Sequence, residues 1–304
     1  MIVVMSPGQG SQTPGFLSPW LEIDGVREHL ERLSEASQVD LITHGTLSDA
    51  DTIRATDIAQ PLIVAASIVS GTVLMRQIPD AQIAFAGHSV GEFAAAHFAG
   101  IVTDVDAMRL VGVRGRAMAA EASTIATGMS AVLGGDSTEL DNALSELGLV
   151  AANMNGGGQV VVAGELNALA KLAESPVPGS RVIPLQVAGA FHTHFMSGAV
   201  ATLRAAAAEV ETSDPDAVIY SNRDGRQVAN GLDYRDLLVG QVENPVRWDL
   251  CMESFARDGV TAAIELAPGG ALVGLVKRGI KGLPSVAIKT PDDLVEARQL
   301  VEAS

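Results

Sequence analysis

Short apolar runs that end in glycine turns open this chain and recur along it. Residues 1–5 (MIVVM) are wholly apolar and lead into the loop SPGQGSQ at 6–12. Residues 81–87 (AQIAFAG) repeat the arrangement and feed the stretch VGEFAAAHFAG, which reads as a helix. Buried strands that alternate with helices in this way predict an open sheet with helices packed on it, and such sheets gather their active sites at the C-terminal ends of the strands. The loops after the two strands are therefore expected side by side across one crevice. The longest apolar stretch, PLIVAASIVSGTVLM at 61–75, is interrupted by serines, a glycine and a threonine. It falls short of the roughly 20 residues that cross a bilayer and reads as a buried helix.

Between 128 and 189 the texture changes. MSAVLGG reads as a strand, STELDNALSEL as a helix, LVAANM and GQVVVAG as strands, LNALAKLAE as a helix and RVIPLQVA as a strand. The order βαββαβ is the ferredoxin-like arrangement. Longer alternating elements then return: AVIYSN at 217–222, a helix around DLLVGQV, and AAIELAPGGALVGLVKRG at 262–279 as strand, glycine turn and helix. The expectation is an α/β protein with one domain at 1–127 and 190–304, and a small domain at 128–189 inserted into it.

Composition narrows the function. With 304 residues, 47% hydrophobic and only 4% aromatic, the chain can fill a large alanine-rich core. A net charge of −16 repels nucleic acid and anionic membranes, so an anionic partner has to meet a local basic patch. The single cysteine, Cys251, excludes a disulfide framework and a multi-cysteine metal site, and its apolar setting in WDLCMESF predicts a buried, inert thiol. MIVVMSPGQG lacks the basic start of a signal peptide, and a cytoplasmic location is expected.

Candidate chemistry centres on FAGHSVGEFAAA, where Ser89 stands between Gly87 and Gly91. A G-x-S-x-G turn can push a serine out of a strand-to-helix corner toward a pocket, but the pattern also arises by chance in glycine-rich chains. A nucleophilic serine needs a base. His44 and His97 lie in helical or polar settings, and His88 is expected to point away along the turn. GAFHTHFM offers His192, with His194 as a polar loop residue. No Asp or Glu between Ser89 and His192 looks like a triad acid, so a backbone carbonyl is the expected partner of the imidazole. PGQGSQ lacks the third glycine of a dinucleotide loop, and Leu275 stands where GGALVGLVKRG would need a P-loop lysine. No redox cofactor or metal is expected.

Seven motifs in order, PGQGSQ (7–12), GHSVGE (87–92), VRGRAM (113–118), ANMNGGGQVVVAG (151–163), GAFHTHFM (189–196), QVENPVRW (241–248) and ELAPGGALVGLVKR (265–278), resemble the malonyl-CoA:acyl carrier protein transacylase family of bacterial fatty acid synthesis. The resemblance spans nearly the whole chain and implies an α/β-hydrolase-like large domain. It implies Ser89 as nucleophile, His192 as base, and the Gln241 main-chain carbonyl as the group that orients His192. The N–H groups of Gln9 and Val90 would form the oxyanion hole. Arg114 matches the arginine that binds the free malonyl carboxylate, a task suited to a planar guanidinium, while Arg109 and Arg116 read as surface residues. Gln60 and Asn155 match polar pocket positions, and Phe191 accompanies malonyl over methylmalonyl in related domains. Gly157-Gly158 replaces the family's Pro-Gly, and Ala267 stands where many members have glycine.

The implied activity is transfer of malonyl from malonyl-CoA to the phosphopantetheine thiol of acyl carrier protein through a malonyl-serine. Lys277, Arg278 and Lys281 are the candidate docking patch for that acidic carrier. The rival expectations are a serine esterase or thioesterase, a malonyl transferase serving a polyketide pathway, and a carrier-binding module without catalysis.

Overall fold

A computed structural model describes residues 1–79 and 81–304 of the chain. One of its two five-stranded sheets is wholly parallel and contains β1 (Ile2–Ser6), β2 (Ile83–Gly87), β7 (Val218–Ile219), β9 (Ala262–Glu265) and β10 (Ser285–Ala287), in the order β10-β9-β1-β2-β7. β1 runs beside β2 in register from Ile2 with Ile83 to Ser6 with Gly87. Both expected loops thus leave the same end of adjacent strands. Every residue of β1 is buried, which accounts for a continuous apolar run where a half-exposed strand would alternate.

The second sheet contains β3 (Thr127–Gly134), β4 (Val150–Gly156), β5 (Gln159–Glu165), β6 (Ser180–Pro184) and β8 (Val246–Arg247), in the order β6-β3-β5-β4-β8. Its first four strands pair antiparallel. Side chains alternate between its faces. Val132 and Val162 pack with Leu140 and Leu144 of helix Ser137–Leu147 and with Leu169 and Leu172 of helix Leu166–Glu174. Met129, Ala131, Val161 and Ala163 turn the other way and join the main core. The fifth strand was not anticipated: β8 comes from the 241–248 motif and pairs parallel with β4, Asn153 opposite Val246. Two expected strands are shorter than the pattern suggests. β6 stops at Pro184, so Leu185 to Val187 leave the sheet, and β7 stops at Ile219 because Tyr220 bridges to Gln227 in a turn.

The apolar stretch at 61–75 belongs to a longer helix, Thr56–Met75, with Pro61 inside it. At 20 residues it is long enough to cross a membrane, so length does not exclude a span as the sequence suggested; its surroundings do, because it is buried on nearly all sides by the chain itself. Its serines are ties to the core. Ser67 Oγ donates to the Ala267 carbonyl at 3.0 Å, and Ser70 Oγ accepts from the Ala267 N–H at 3.0 Å. Cys251 is fully buried in helix Trp248–Arg257, and burial pushes its thiol pKa up.

Candidate active site

Gly87 ends β2, and the chain turns sharply through His88 and Ser89 into helix Glu92–Phe98. Ser89 has φ 53°, in the left-handed region that side chains rarely enter. Both flanking glycines are dictated by space. A Cβ on Gly87 would lie 2.1 Å from the Gly91 carbonyl carbon, and one on Gly91 would lie 2.2 Å from the Ser6 carbonyl oxygen. Asn222, just past β7, braces the turn: its Oδ1 accepts from the Ser89 N–H at 2.7 Å and its Nδ2 donates to the Gly87 carbonyl at 2.7 Å.

His192 also has a left-handed backbone, φ 62°, and is 3% exposed. Its Nε2 is 2.7 Å from Ser89 Oγ, and its Nδ1 is 2.8 Å from the Gln241 carbonyl oxygen. Because a carbonyl can only accept, Nδ1 carries the proton and Nε2 is left with the lone pair that faces the serine hydroxyl. Burial, reinforced by the Arg114 charge, pushes the His192 pKa down to about 3. The ring is therefore neutral near pH 7 and able to take a proton. Its hydrogen-bond partners among the described residues are a serine and a backbone carbonyl, with no carboxylate.

Arg114, on helix Asp104–Ala122, is 1% exposed, and its guanidinium reaches the same spot. Nη1 donates to Gln60 Oε1 at 2.7 Å, and Nη2 donates to Gln241 Oε1 at 2.9 Å and to Ser89 Oγ at 3.4 Å. Nε is buried without a partner among the described residues. Burial lowers the Arg114 pKa to about 10, which still leaves it charged. Arg109 and Arg116 of the same helix face solvent, Arg109 paired with Asp106 and Arg116 donating to the Ser37 carbonyl.

Ser89 and His192 open on a cleft of about 500 Å3, lined also by Gln9, Gln60, Val90, Arg114 and Phe191 among the residues singled out in the sequence. Met118, Met129, Val161, Leu185 and Val187 give it an apolar side. Leu185 and Val187 are there because the chain leaves β6 early. His88 lines the cleft, but its ring turns to Asn155, with Nε2 2.9 Å from Asn155 Oδ1. Asn155 thus stands behind His88, and the cleft wall carries Asn153 instead, whose Oδ1 is buried without a partner among the described residues. His194 is exposed against Phe195. Lys277, Arg278 and Lys281 are exposed and outside the cleft, at the end of helix Ala271–Gly279 and just beyond it.

Three features of the site had no signal that sequence reasoning used: Asn222, the Gln241 side chain and Glu92. Gln241 Nε2 donates to the Ser89 carbonyl at 3.0 Å and to Glu92 Oε2, while Glu92 Oε1 accepts from the Asn222 N–H at 2.7 Å. Burial raises the Glu92 pKa to about 8. The last residue of GHSVGE was a visible polar position at a helix start, but nothing local marked it as buried. The assembled group is a neutral imidazole on a serine hydroxyl with a buried cation beside it, suited to covalent transfer of an acyl group that bears a negative charge.

The acyl transferase domain family matches residues 3–293. The malonyl CoA-acyl carrier protein transacylase of Mycobacterium tuberculosis is 47% identical over 302 residues, covering 99% of this chain and all of the relative. The crystal structure of MCAT from Mycobacterium tuberculosis superposes with TM-score 0.96 at 47% identity, over 98% of this chain and 99% of that one. A malonyl-transacylase solved in complex with its type II PKS acyl-carrier protein superposes with TM-score 0.90 at 29% identity, over 98% and 99% of the two chains.

Proposed function

The chain belongs to the acyl transferase domain family, and from that premise we propose that it carries a malonyl group from malonyl-CoA to the phosphopantetheine thiol of an acyl carrier protein, in supply of fatty acid synthesis. One observation carries the reading. Ser89 Oγ lies 2.7 Å from His192 Nε2 and 3.4 Å from Arg114 Nη2. A malonyl ester on Ser89 ends in a carboxylate two carbons beyond its carbonyl, within reach of a guanidinium that already touches Oγ.

In the proposed route His192 Nε2 takes the hydroxyl proton as Ser89 Oγ attacks the thioester carbonyl. The tetrahedral oxyanion is held by the Gln9 and Val90 N–H groups, and CoA leaves with the proton from His192. Donors of this kind are worth about 3–4 kcal/mol each in acyl transfer. Arg114 holds the malonyl carboxylate, for which its present partners Gln60 and Gln241 are neutral stand-ins. Phe191 and the methionines shape the space around the α-carbon. The carrier thiol then gives its proton to His192 and attacks the ester, which frees Ser89. A groove of about 850 Å3 that shares Gln9, Leu185 and Val187 with the cleft and runs along Arg54 suits the pantetheine arm. We assign docking of the acidic carrier to Lys277, Arg278 and Lys281, whose charge reversal should slow transfer to the carrier and spare acylation by malonyl-CoA. We read residues 1–127 and 190–304 as a hydrolase-like domain carrying a ferredoxin-like insert at 128–189, and we place the protein in the cytoplasm.

The test is intact-protein mass spectrometry after brief exposure to malonyl-, methylmalonyl- and acetyl-CoA. The reading expects one malonyl adduct, lost in Ser89→Ala and discharged by a holo carrier protein. Rapid release of free malonate without a thiol acceptor would make the protein a thioesterase, and carrier binding without any adduct would make it a binding module.

A further inference from the structure

Glu92 lies at the start of helix Glu92–Phe98, is 1% exposed, and has no part in the transfer steps above. Its carboxyl is nevertheless joined, through Gln241 and Asn222, to the Ser89 turn, the His192 base and the Arg114 clamp. Gln241 Nε2 donates to Glu92 Oε2 and to the Ser89 carbonyl. Gln241 Oε1 accepts from Arg114 Nη2 at 2.9 Å, and the Gln241 main-chain carbonyl accepts from His192 Nδ1 at 2.8 Å. The second carboxyl oxygen accepts from the N–H of Asn222, the residue that braces the Ser89 turn.

A glutamine amide has no intrinsic preference for one orientation, since a half-turn exchanges its oxygen and nitrogen at little steric cost. The surroundings remove that freedom: Arg114 can only donate and holds Oε1, the Ser89 carbonyl can only accept and holds Nε2, and Glu92 Oε2 takes the second N–H of the same amide, which locks it between them. We propose that Glu92 is a positioning residue which, through Gln241, sets the His192 base and the Arg114 clamp together. The inference rests on the malonyl-transfer reading of the site.

The charge around Glu92 suits this role. Arg114, Tyr234 from helix Gly231–Gly240 and Cys251 from helix Trp248–Arg257 face it, His192 lies across Gln241, and Arg223 lines a cavity of about 270 Å3 with Glu92 and Gln241. That cavity shares no lining residue with the Ser89 cleft, so Glu92 faces it from the side of Gln241 away from the reacting atoms. Burial holds the acid neutral at pH 7, with its pKa at about 8. A neutral partner orients Gln241 while leaving the Arg114 charge for the substrate carboxylate; an ionised one would oppose that carboxylate across a dry pocket.

The experiment measures the rate of Ser89 acylation by malonyl-CoA and by acetyl-CoA from pH 6 to 9, in the full-length wild type, Glu92→Gln and Glu92→Ala, with melting curves as the folding control. Leaving buried donors unpaired in E92A should lower kcat/KM for malonyl-CoA by about 10- to 100-fold and shrink the malonyl-over-acetyl ratio. E92Q should recover most of that loss, because its amide oxygen still accepts from Gln241, and should lack the alkaline fall in malonyl rate expected of the wild type. Wild-type rates and ratio in E92A, or a folded E92Q as impaired as E92A, would overturn the role. If E92A does not fold, E92Q and Glu92→Asp decide: an active E92Q beside an impaired E92D supports positioning, and equal behaviour of the two defeats it. A wild type that forms no malonyl adduct defeats the functional reading itself, and this inference with it.

Discussion

Replacing Asn222 by alanine should disarm the serine turn without touching any reacting atom. The side chain makes two hydrogen bonds, a partly buried one from the Ser89 N–H and a buried one to the Gly87 carbonyl, each 2.7 Å long. Alanine leaves both backbone groups unpaired at a cost of about 1–3 kcal/mol each, and a water entering the vacated space would hold the total near 2–4 kcal/mol. For a chain of this size that is a fall in melting temperature of about 3–6 °C. The same two bonds hold the left-handed backbone of Ser89, so the hydroxyl should drift from His192 and acylation should slow by about 10- to 100-fold. Quenched single-turnover acylation followed by mass spectrometry reads the rate, and a thermal melt reads the stability. Asn222→Asp separates the two bonds, since a carboxylate accepts from Ser89 but cannot donate to Gly87, and it should be no better than alanine. An Asn222→Ala protein acylated within about twofold of wild type, melting at the same temperature, would refute the reasoning.

Three further outcomes are expected. Arg114→Lys, which cannot span Gln60 and Gln241 with one ammonium, should cut the preference for malonyl- over acetyl-CoA by about 10- to 100-fold in a competition for Ser89; an unchanged ratio would remove Arg114 from the clamp. His192, held low in the fold, binds fewer protons than it does unfolded, so its contribution to stability is present above its ordinary value of 6.5 and is lost as pH falls toward about 3. Glu92, held high, binds more protons folded than unfolded, so its contribution is present below 4.5 and is lost as pH rises to about 8. Urea midpoints should therefore drop between pH 6.5 and 8 by more in wild type than in Glu92→Gln, and parallel curves would contradict the assignment. Finally, Gly91→Ala, whose Cβ would lie 2.2 Å from the Ser6 carbonyl oxygen, should lose about 2–4 kcal/mol, whereas Gly274→Ala, with only a side-chain atom of Arg278 at 3.8 Å, should gain about 0.5–1 kcal/mol by urea titration.

What could be read from the sequence was whatever has a local period or a local spacing. β1 and β2 announce themselves as apolar runs ending in glycine, and the alternation in GQVVVAG matches the observed division of Val160–Ala163 between the two faces of the second sheet. β8 is only Val246–Arg247, too short to leave a pattern, and it exists because β4 offers an edge. Residues 185–187 continue the strand-like text of β6, yet tertiary packing takes them to the cleft instead. Glu92 and Asn222 were invisible for a related reason. Their bonds span 149 and 130 residues, and a carboxylate at a helix start is ordinarily a solvated one. Arg114 could be picked from its neighbours Arg109 and Arg116 only by resemblance, since helical periodicity alone gives no ground for burying a guanidinium.

Among the described residues, the non-glycine positions with left-handed backbone are Gln38, Ser89 and His192. Gln38 merely ends a helix, and a glycine there would relax the chain with nothing else changed. At the other two positions the relaxing substitution deletes the reacting atom. Selection for a hardier enzyme can thus improve caps, loops and surface, but it cannot recover the energy held in these two backbones while the chemistry survives. The site sets a ceiling on robustness that any thermally adapted descendant of this chain would inherit.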